Sequence, residues 1–309
     1  MTQLVSDLGI DPGNSTSVFL LLATCTFAVV TIFWFVGLFQ RSHSMMDAYY
    51  GFGYVVPAVL AYAIARPASG TAAVLMAMVA FHGCRLGWYL AARWRRFIPV
   101  HGGDPRYMKF RADLSPGYWW KSFFKVMEPQ APLIILVGSP AVVGILMNRA
   151  ADGPLSGLAF VGLAVFGIGL YFESLADGQL QAFLALDKRP RYLRTGVWKH
   201  SRHPNYFGTT TVWWGIWLVA VAGNSAVWWT VIGPLINTLM LTALTGSRMT
   251  DQIMGARPDY QPVMARTRFF WPIPVRSTRV AAAEAELEQR ATDGPQPEER
   301  TAKTEIGVS

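Results

Sequence analysis

The chain has 309 residues, of which 52% are hydrophobic and only 15% are charged, and its formal net charge is +8. Soluble domains are about 25% charged, so this chain has too few charged residues to cover a soluble surface. The long apolar blocks exclude a disordered, collagen-like or disulfide-scaffold chain and indicate a polytopic membrane protein. The basic excess is compatible with nucleic-acid binding or with basic loops at a cytoplasmic membrane face.

Apolar blocks recur along most of the chain. A helix that crosses a bilayer needs about 20 mostly apolar residues. Seven segments approach that length, and they predict an all-α bundle of about seven transmembrane helices: 18–39, 48–65, 71–92, 131–147, 155–180, 207–221 and 227–244.

The basic residues favour one orientation of this bundle. With the N-terminus outside, 19 Lys and Arg fall in inner segments and two in outer segments, as the positive-inside rule expects for a cytoplasmic C-terminus. The predicted domains are an extracytoplasmic segment 1–17, a transmembrane domain 18–275 and a tail 276–309. The tail carries five basic and seven acidic residues and no aromatic residue, a composition typical of a disordered cytoplasmic segment.

Ionisable residues in the fifth predicted span are the first candidate site. Glu173 and Asp177 are four residues apart, so they share one helix face. The loop DKRPRYLRTGVWKHSRHPNYFG (187–208) follows with six Lys and Arg. These cations are suited either to lipid headgroups and structural ion pairs or to the phosphates of a cofactor. For a cofactor, Trp198 and Tyr206 would offer rings on which its base can stack. No GxGxxG or GxxxxGK[ST] occurs, so neither a Rossmann site nor a P-loop is predicted.

Three segments carry a family resemblance. ESLADGQLQAF (173–183), RTGVWKHSRHPNYFG (194–208) and the closing TGSRMTDQIMGARPDYQPVMARTRFFWPIP (245–274) resemble bacterial members of the steroid 5-alpha-reductase-like membrane family. The resemblance covers roughly 40–275. It implies a multi-helix enzyme that binds NADPH on the cytoplasmic side and reduces an activated C=C bond in a lipid, either a 3-oxo-steroid-like or a fatty-acyl enone.

The resemblance also implies residue roles. Its cofactor contacts map onto Glu173, Asp177, Arg194, Trp198, Arg202, His203, Asn205 and Tyr206. One position departs from the family, because Thr209 follows Gly208 where the family usually has Glu. A threonine can still form a hydrogen bond there, but it brings no charge.

The proposed reaction needs a donor for the carbonyl oxygen on which negative charge develops. The resemblance implies an acid–tyrosine pair in the early helices, and Asp47 with Tyr49 or Tyr50 is its match, with Asp47 and Tyr50 as the candidate catalytic residues. An aspartic acid in a low-dielectric setting can keep its proton near neutral pH. Asp47 is equally placed to cap the second span, and both roles stay open.

Two other functions compete with the reductase. Isoprenylcysteine methyltransferases share a related fold and an RHP-like string, and they would bind S-adenosylmethionine; a non-enzymatic membrane protein is the second rival. The basic loop favours a phosphate-bearing cofactor, and the resemblance implies that this cofactor is NADPH. No metal site is predicted, because His200 and His203 lack a third ligand nearby. We expect a multi-pass protein of the cell (inner) membrane that takes its lipid substrate from the bilayer and binds no nucleic acid.

Overall fold

The computed structural model describes residues 1–40, 42–101, 105–188, 190–244 and 246–275. Twelve α-helices occur in these ranges: α1 Thr2–Asp7, α2 Ser15–Phe39, α3 Met45–Ala65, α4 Gly70–His101, α5 Pro105–Asp113, α6 Tyr118–Ser122, α7 Gln130–Met147, α8 Gly157–Leu184, α9 Pro204–Gly223, α10 Ile232–Leu239, α11 Gly246–Gly255 and α12 Gln261–Arg266. Two π-helical turns, Phe123–Met127 and Met240–Leu244, interrupt longer helical runs. The all-α prediction is confirmed for these residues, whereas the predicted tail 276–309 lies outside them.

Six helical segments are long and apolar enough to cross a membrane in the part of the chain that the structure describes. They are Ser15–Phe39, Met45–Ala65, Gly70–Arg95, Tyr118–Met147, Gly157–Leu184 and Ser225–Leu244. Each contains one of the predicted spans or most of it. The remaining predicted span, 207–221, does form α9, but its threonines and tryptophans dilute its hydropathy and it is not among the six. Seven spans and the outward N-terminus therefore stay predictions.

The chain divides into two compact units. Unit 1 comprises Met1–Tyr171 and Thr209–Met240, and unit 2 comprises Phe172–Gly208 and the described residues from Leu241 onward.

Unit 1 is built on close helix packing. A Cβ on Gly51 of α3 would lie 2.2 Å from the backbone nitrogen of Gly87 and 2.3 Å from the carbonyl oxygen of Gly83, both in α4. Small residues at these positions therefore allow the two helix backbones to touch, as is common between membrane helices. Helix α7 is almost entirely buried between Val137 and Leu146, which makes it the central helix of this unit.

One loop carboxylate of unit 1 caps α4. Asp152 accepts hydrogen bonds from Ser69 Oγ at 2.7 Å, from Gly70 N at 2.6 Å and from Thr71 N at 3.0 Å. Hydrogen bonds from the Thr71 side chain, together with those from Ser69 and the two backbone amides, hold the pKa of Asp152 well below its ordinary value. The first amides of a helix have no partner inside it, and here a distant carboxylate supplies one.

Candidate functional site

The acidic pair of α8 is buried in unit 2. Glu173 and Asp177 have 1% and 4% of their surface exposed. Asn205, in the first turn of α9, donates from Nδ2 to Asp177 Oδ1 at 3.4 Å. A carboxylate of α8 and an amide of α9, both of which the resemblance assigns to the cofactor, thus contact each other in this structure.

Gly208 explains how this first turn reaches α8. A Cβ on Gly208 would lie 2.4 Å from the backbone nitrogen of Glu173 and 2.6 Å from its Cβ. The neighbouring rings of Phe172 and Phe207 meet edge to face, with centroids 5.3 Å apart. Only glycine permits this backbone contact, so the HPNYFG string is held directly against Glu173.

The loop before α9 is also fastened to α8. Trp198 donates its indole N–H to the carbonyl of Ala176 at 3.0 Å, and the amide of Val197 donates to Gln179 Oε1 at 3.0 Å. Gly196 has φ +58°, a left-handed conformation that suits glycine. Trp198, predicted as a cofactor contact, therefore has its ring fixed in place along the acidic helix.

Arg202 makes polar contacts through its whole guanidinium group. Its Nε lies 2.9 Å and its Nη2 2.8 Å from Asp251 Oδ2, and its Nη1 donates to the carbonyl of Thr267 at 2.8 Å. The Arg202 and Asp251 side chains are only 10% and 13% exposed. All three guanidinium nitrogens thus bind protein groups in this structure. The residue predicted to contact the cofactor is here part of a buried ion pair.

His203 shares the same carboxylate. Its Nε2 lies 3.3 Å from Asp251 Oδ1, and its ring stacks on Tyr206 with a 5.4 Å centroid distance and a 7° interplanar angle. Burial on its own raises the pKa of Asp251, but hydrogen bonds from His203 and Arg202 and the charge of Arg202 outweigh it and leave the pKa below its ordinary value. We call Arg202, His203 and Asp251 the Asp251 cluster.

Backbone hydrogen bonds join the loop to the segment after α12. The amide of Arg202 donates to the carbonyl of Arg268, and the amide of Arg268 donates to the carbonyl of His200, both at 2.9 Å. Ser201 Oγ donates to the carbonyl of Phe270 at 2.9 Å. The start of the RHPNYFG string is therefore clamped on both its side-chain and its backbone atoms.

The remaining described cations of the loop are exposed but differ in their contacts. Arg191 binds Asp259 at 2.7 Å, and Tyr192 donates to the same carboxylate at 2.9 Å. Arg194 is exposed, with its guanidinium carbon 5.8 Å from the centre of the Tyr192 ring. Lys188 and Lys199 are exposed as well, and Arg189 lies outside the described residues. Arg191, Arg194 and the two lysines thus all face solvent, and of these only Arg191 is held in an ion pair that the structure records.

The predicted catalytic residues lie in unit 1. Asp47 is in the first turn of α3, and the hydroxyl of Tyr107 donates to its Oδ1 at 2.9 Å. Tyr49 packs on Phe33 with ring centroids 4.8 Å apart, and Tyr50 is half-buried in the same helix. Tyr107, which the sequence analysis did not single out, thus donates a hydrogen bond to Asp47.

Sequence reasoning missed Asp251, Thr267 and Tyr107. Asp251 and Thr267 lie in the closing segment 245–274, which was recognised as similar to a family but was not resolved into residue roles. For Asp251, the sequence signal was an acidic residue in a basic stretch, but its partner Arg202 is 49 positions away. Tyr107 follows Asp47 by 60 positions, and no periodicity links the two.

The six apolar helices of spanning length define the class, a multi-pass helical membrane protein. A family model described as "Protein of unknown function (DUF1295)" matches residues 33–267, and the chain belongs to this family. No curated protein and no solved structure matches the chain significantly.

Proposed function

We propose that this protein is an integral membrane reductase that uses NADPH to reduce an activated C=C bond in a lipid enone. The observation that carries the proposal is the composition of unit 2. There, the buried carboxylates Glu173 and Asp177 and the amide Asn205 occur in the same compact unit as a basic, aromatic loop. The resemblance of segments 173–183, 194–208 and 245–274 to steroid 5-alpha-reductase-like proteins supports the same function.

The residues of unit 2 fit the chemistry of NADPH. Carboxylates and amides hydrogen-bond ribose hydroxyls, and the exposed fork of Arg194 is suited to phosphate oxygens. Lys188 and Lys199 add charge on the same loop, and the fixed ring of Trp198 offers an apolar face for a base. When bound, NADPH would supply the hydride that the double bond accepts.

The Asp251 cluster fixes the conformation of the segment that carries part of this candidate site. Since Arg202 and His203 both bind Asp251, the string from 202 to 206 is held in one conformation, and Asn205 stays against Asp177. We assign Arg202 and His203 to this positioning role. Arg194 then carries the phosphate contact.

The protein must also polarise the substrate. Negative charge develops on the carbonyl oxygen as hydride reaches the far carbon of the enone, and a hydrogen-bond donor lowers the energy of that state. We propose Asp47 as this donor. Whether the carbonyl belongs to a steroid-like or a fatty-acyl enone is set by the apolar part of the substrate site, and Thr209 in place of the usual Glu is a candidate determinant.

A methyltransferase is the second candidate because of one observation. Buried carboxylates such as Glu173 and Asp177 are also suited to the positively charged sulfonium of S-adenosylmethionine. The exposed cations Arg194, Lys188 and Lys199 oppose a sulfonium and favour phosphates, so we place the reductase first.

The test is ligand binding to the purified protein in detergent. Thermal shifts are recorded with NADPH, NADH and S-adenosylmethionine for the wild type, Asp177→Asn and Arg194→Gln. Lys109→Gln, an exposed lysine of unit 1, is the charge-matched control. We expect stabilisation by NADPH, with affinity reduced ~10- to 100-fold in Arg194→Gln, as for the loss of one hydrogen-bonded charge, and unchanged in the control. Stabilisation by S-adenosylmethionine alone would overturn the proposal.

A further inference from the structure

The starting observation is the length of one apolar segment of unit 1. Tyr118–Met147 has 30 residues, whereas about 20 residues cross the hydrocarbon core of a bilayer. Because Asn148 and Arg149 follow its last residue directly, the surplus falls at its beginning. Residues Tyr118–Met127, which form α6 and the first π-helical turn, therefore lie at the level of the lipid headgroups, and we call them the interfacial turn.

The interfacial turn is fastened to unit 1 along one side. Ser122, Val126 and Met127 are buried. Trp34 of α2 donates its indole N–H to Ser122 Oγ at 3.2 Å, and its ring meets that of Phe123 with centroids 5.0 Å apart. These contacts fix the orientation of the turn, so its opposite side presents a defined outer face.

The outer face combines aromatic rings with cations. Trp119, Trp120 and Phe124 have 65%, 46% and 63% of their surface exposed. Lys125 is exposed, and Lys121 is half-buried with its Nζ 5.9 Å from the centre of the Trp120 ring. Tryptophan rings favour the headgroup region of a bilayer, and lysines near its surface attract anionic lipids. The interfacial turn brings both kinds of side chain to one face.

The charges next to the turn leave this face basic. Arg111 of α5 adds a guanidinium whose carbon lies 5.8 Å from the centre of the Tyr118 ring. Asp113, at the end of α5, is exposed and offsets one of the cations. The next acidic residue, Glu128, accepts a hydrogen bond from Thr31 at 2.8 Å, so it is turned toward α2. The outer face therefore keeps an excess of positive charge.

We propose that the interfacial turn is a binding surface for the headgroup of an anionic phospholipid. Lys121 and Lys125 bind the phosphate, and Trp119 and Trp120 pack beside the glycerol and the upper part of the chains. A zwitterionic headgroup also carries a phosphate, but its own cation repels the lysines, so the surface selects lipids by net charge. This inference goes beyond the proposed function and does not depend on it, because neither the cofactor nor the enone takes part.

The first experiment measures lipid preference in mixed micelles. Thermal shifts of the full-length protein are titrated with dioleoyl phosphatidylglycerol and dioleoyl phosphatidylcholine, which have the same chains. We expect the wild type to bind phosphatidylglycerol more tightly. This advantage should fall about fivefold for each lysine removed, first in Lys125→Gln and then in the double variant Lys121→Gln and Lys125→Gln. Equal affinity of the wild type for both lipids, or an unchanged advantage in the double variant, would overturn the proposal.

Two further variants serve as controls. Arg66→Gln removes an exposed cation of unit 1 that directly follows α3, at the opposite end of that helix from the Asp47–Tyr107 hydrogen bond. It should keep the wild-type preference within about twofold. Trp119→Ala should weaken the binding of both lipids alike, because it removes a contact with the chains and leaves the charges in place. Equal loss of the preference in Arg66→Gln and Lys125→Gln would overturn the surface in favour of general charge attraction.

The second experiment identifies the form of the ligand. Inorganic phosphate, glycerol 3-phosphate and a poly-glutamate peptide are added to protein in lipid-free micelles, each at the concentration at which phosphatidylglycerol saturates. None should match the shift produced by phosphatidylglycerol, because a soluble anion lacks the chains that meet Trp119 and Trp120. An equal shift that is lost in the double lysine variant would overturn the proposal. It would indicate a soluble-anion site if a phosphate produced it, and an acidic protein partner if the peptide did.

Discussion

Removing Asp251 is expected to destabilise the protein strongly. Asp251→Ala leaves the guanidinium of Arg202 buried with only the acceptors of Met264 and Thr267, and it removes the partner of His203 Nε2. Because both side chains of the Arg202–Asp251 pair are nearly buried, loss of one partner should lower the free energy of unfolding by about 3–5 kcal/mol. This corresponds to a fall in melting temperature on the order of 10 °C.

The assay must suit the cysteines of this chain. Cys25 and Cys84 lie on the exposed surfaces of the apolar helices Ser15–Phe39 and Gly70–Arg95, so their reaction with a thiol-reactive dye would not report unfolding. Intrinsic tryptophan fluorescence, to which Trp198 and Trp271 of unit 2 contribute, avoids this difficulty.

Asp259 is the matched control for the loss of stability expected in Asp251→Ala. Asp259→Ala removes the ion pair with Arg191, whose side chains are 65% and 41% exposed, and exposed pairs contribute at most about 1 kcal/mol. Replacing the buried pair by apolar residues, in the double variant Arg202→Met and Asp251→Leu, should recover most of the lost stability. Equal losses in Asp251→Ala and Asp259→Ala would refute the reasoning.

Two further predictions concern unit 2. Gly208→Ala should lower the melting temperature and weaken NADPH binding, because its Cβ would lie within 3 Å of Glu173 backbone atoms. Gly178→Ala has nothing within 4 Å of its Cβ, so it should be neutral or stabilising by up to ~1 kcal/mol. Melting curves of both variants check this prediction, and equal effects would contradict it. Since the folded pKa of Asp251 lies below its ordinary value, its stabilisation is fully present above the unfolded pKa and is lost as the pH falls through the folded pKa. The melting difference between wild type and Asp251→Asn should therefore persist from pH 7 to about pH 5 and shrink below roughly pH 4, and a difference that grows on acidification would contradict the sign.

Helix positions could be predicted from the sequence where hydrophobic length alone decides them. The predicted span 18–39 ends at the same residue as the helix Ser15–Phe39, and 131–147 differs from Gln130–Met147 by one residue. The segment 207–221 is harder to identify as a membrane span from its composition, because its Thr and Trp residues form a helix without making it strongly apolar.

The candidate site was predictable only where its members are close in sequence. Glu173 and Asp177 share a helix face by spacing, and their burial follows from the apolar residues around them. The partners of Arg202 and Asp47 lie 49 and 60 positions away. Side-chain pairs at such separations depend on tertiary packing, which neither periodicity nor composition encodes.

The clamp between residues 200–202 and 268–270 has a consequence for how the protein is made. Arg202 and His203 leave the ribosome well before Asp251, and the apolar segment Ser225–Leu244 lies between them. The loop therefore cannot close while the last apolar segment is still being synthesised and inserted. A nascent chain released before Phe270 would keep every helix of spanning length yet lack its finished loop, so assembly of the candidate cofactor site is a late, post-insertion event.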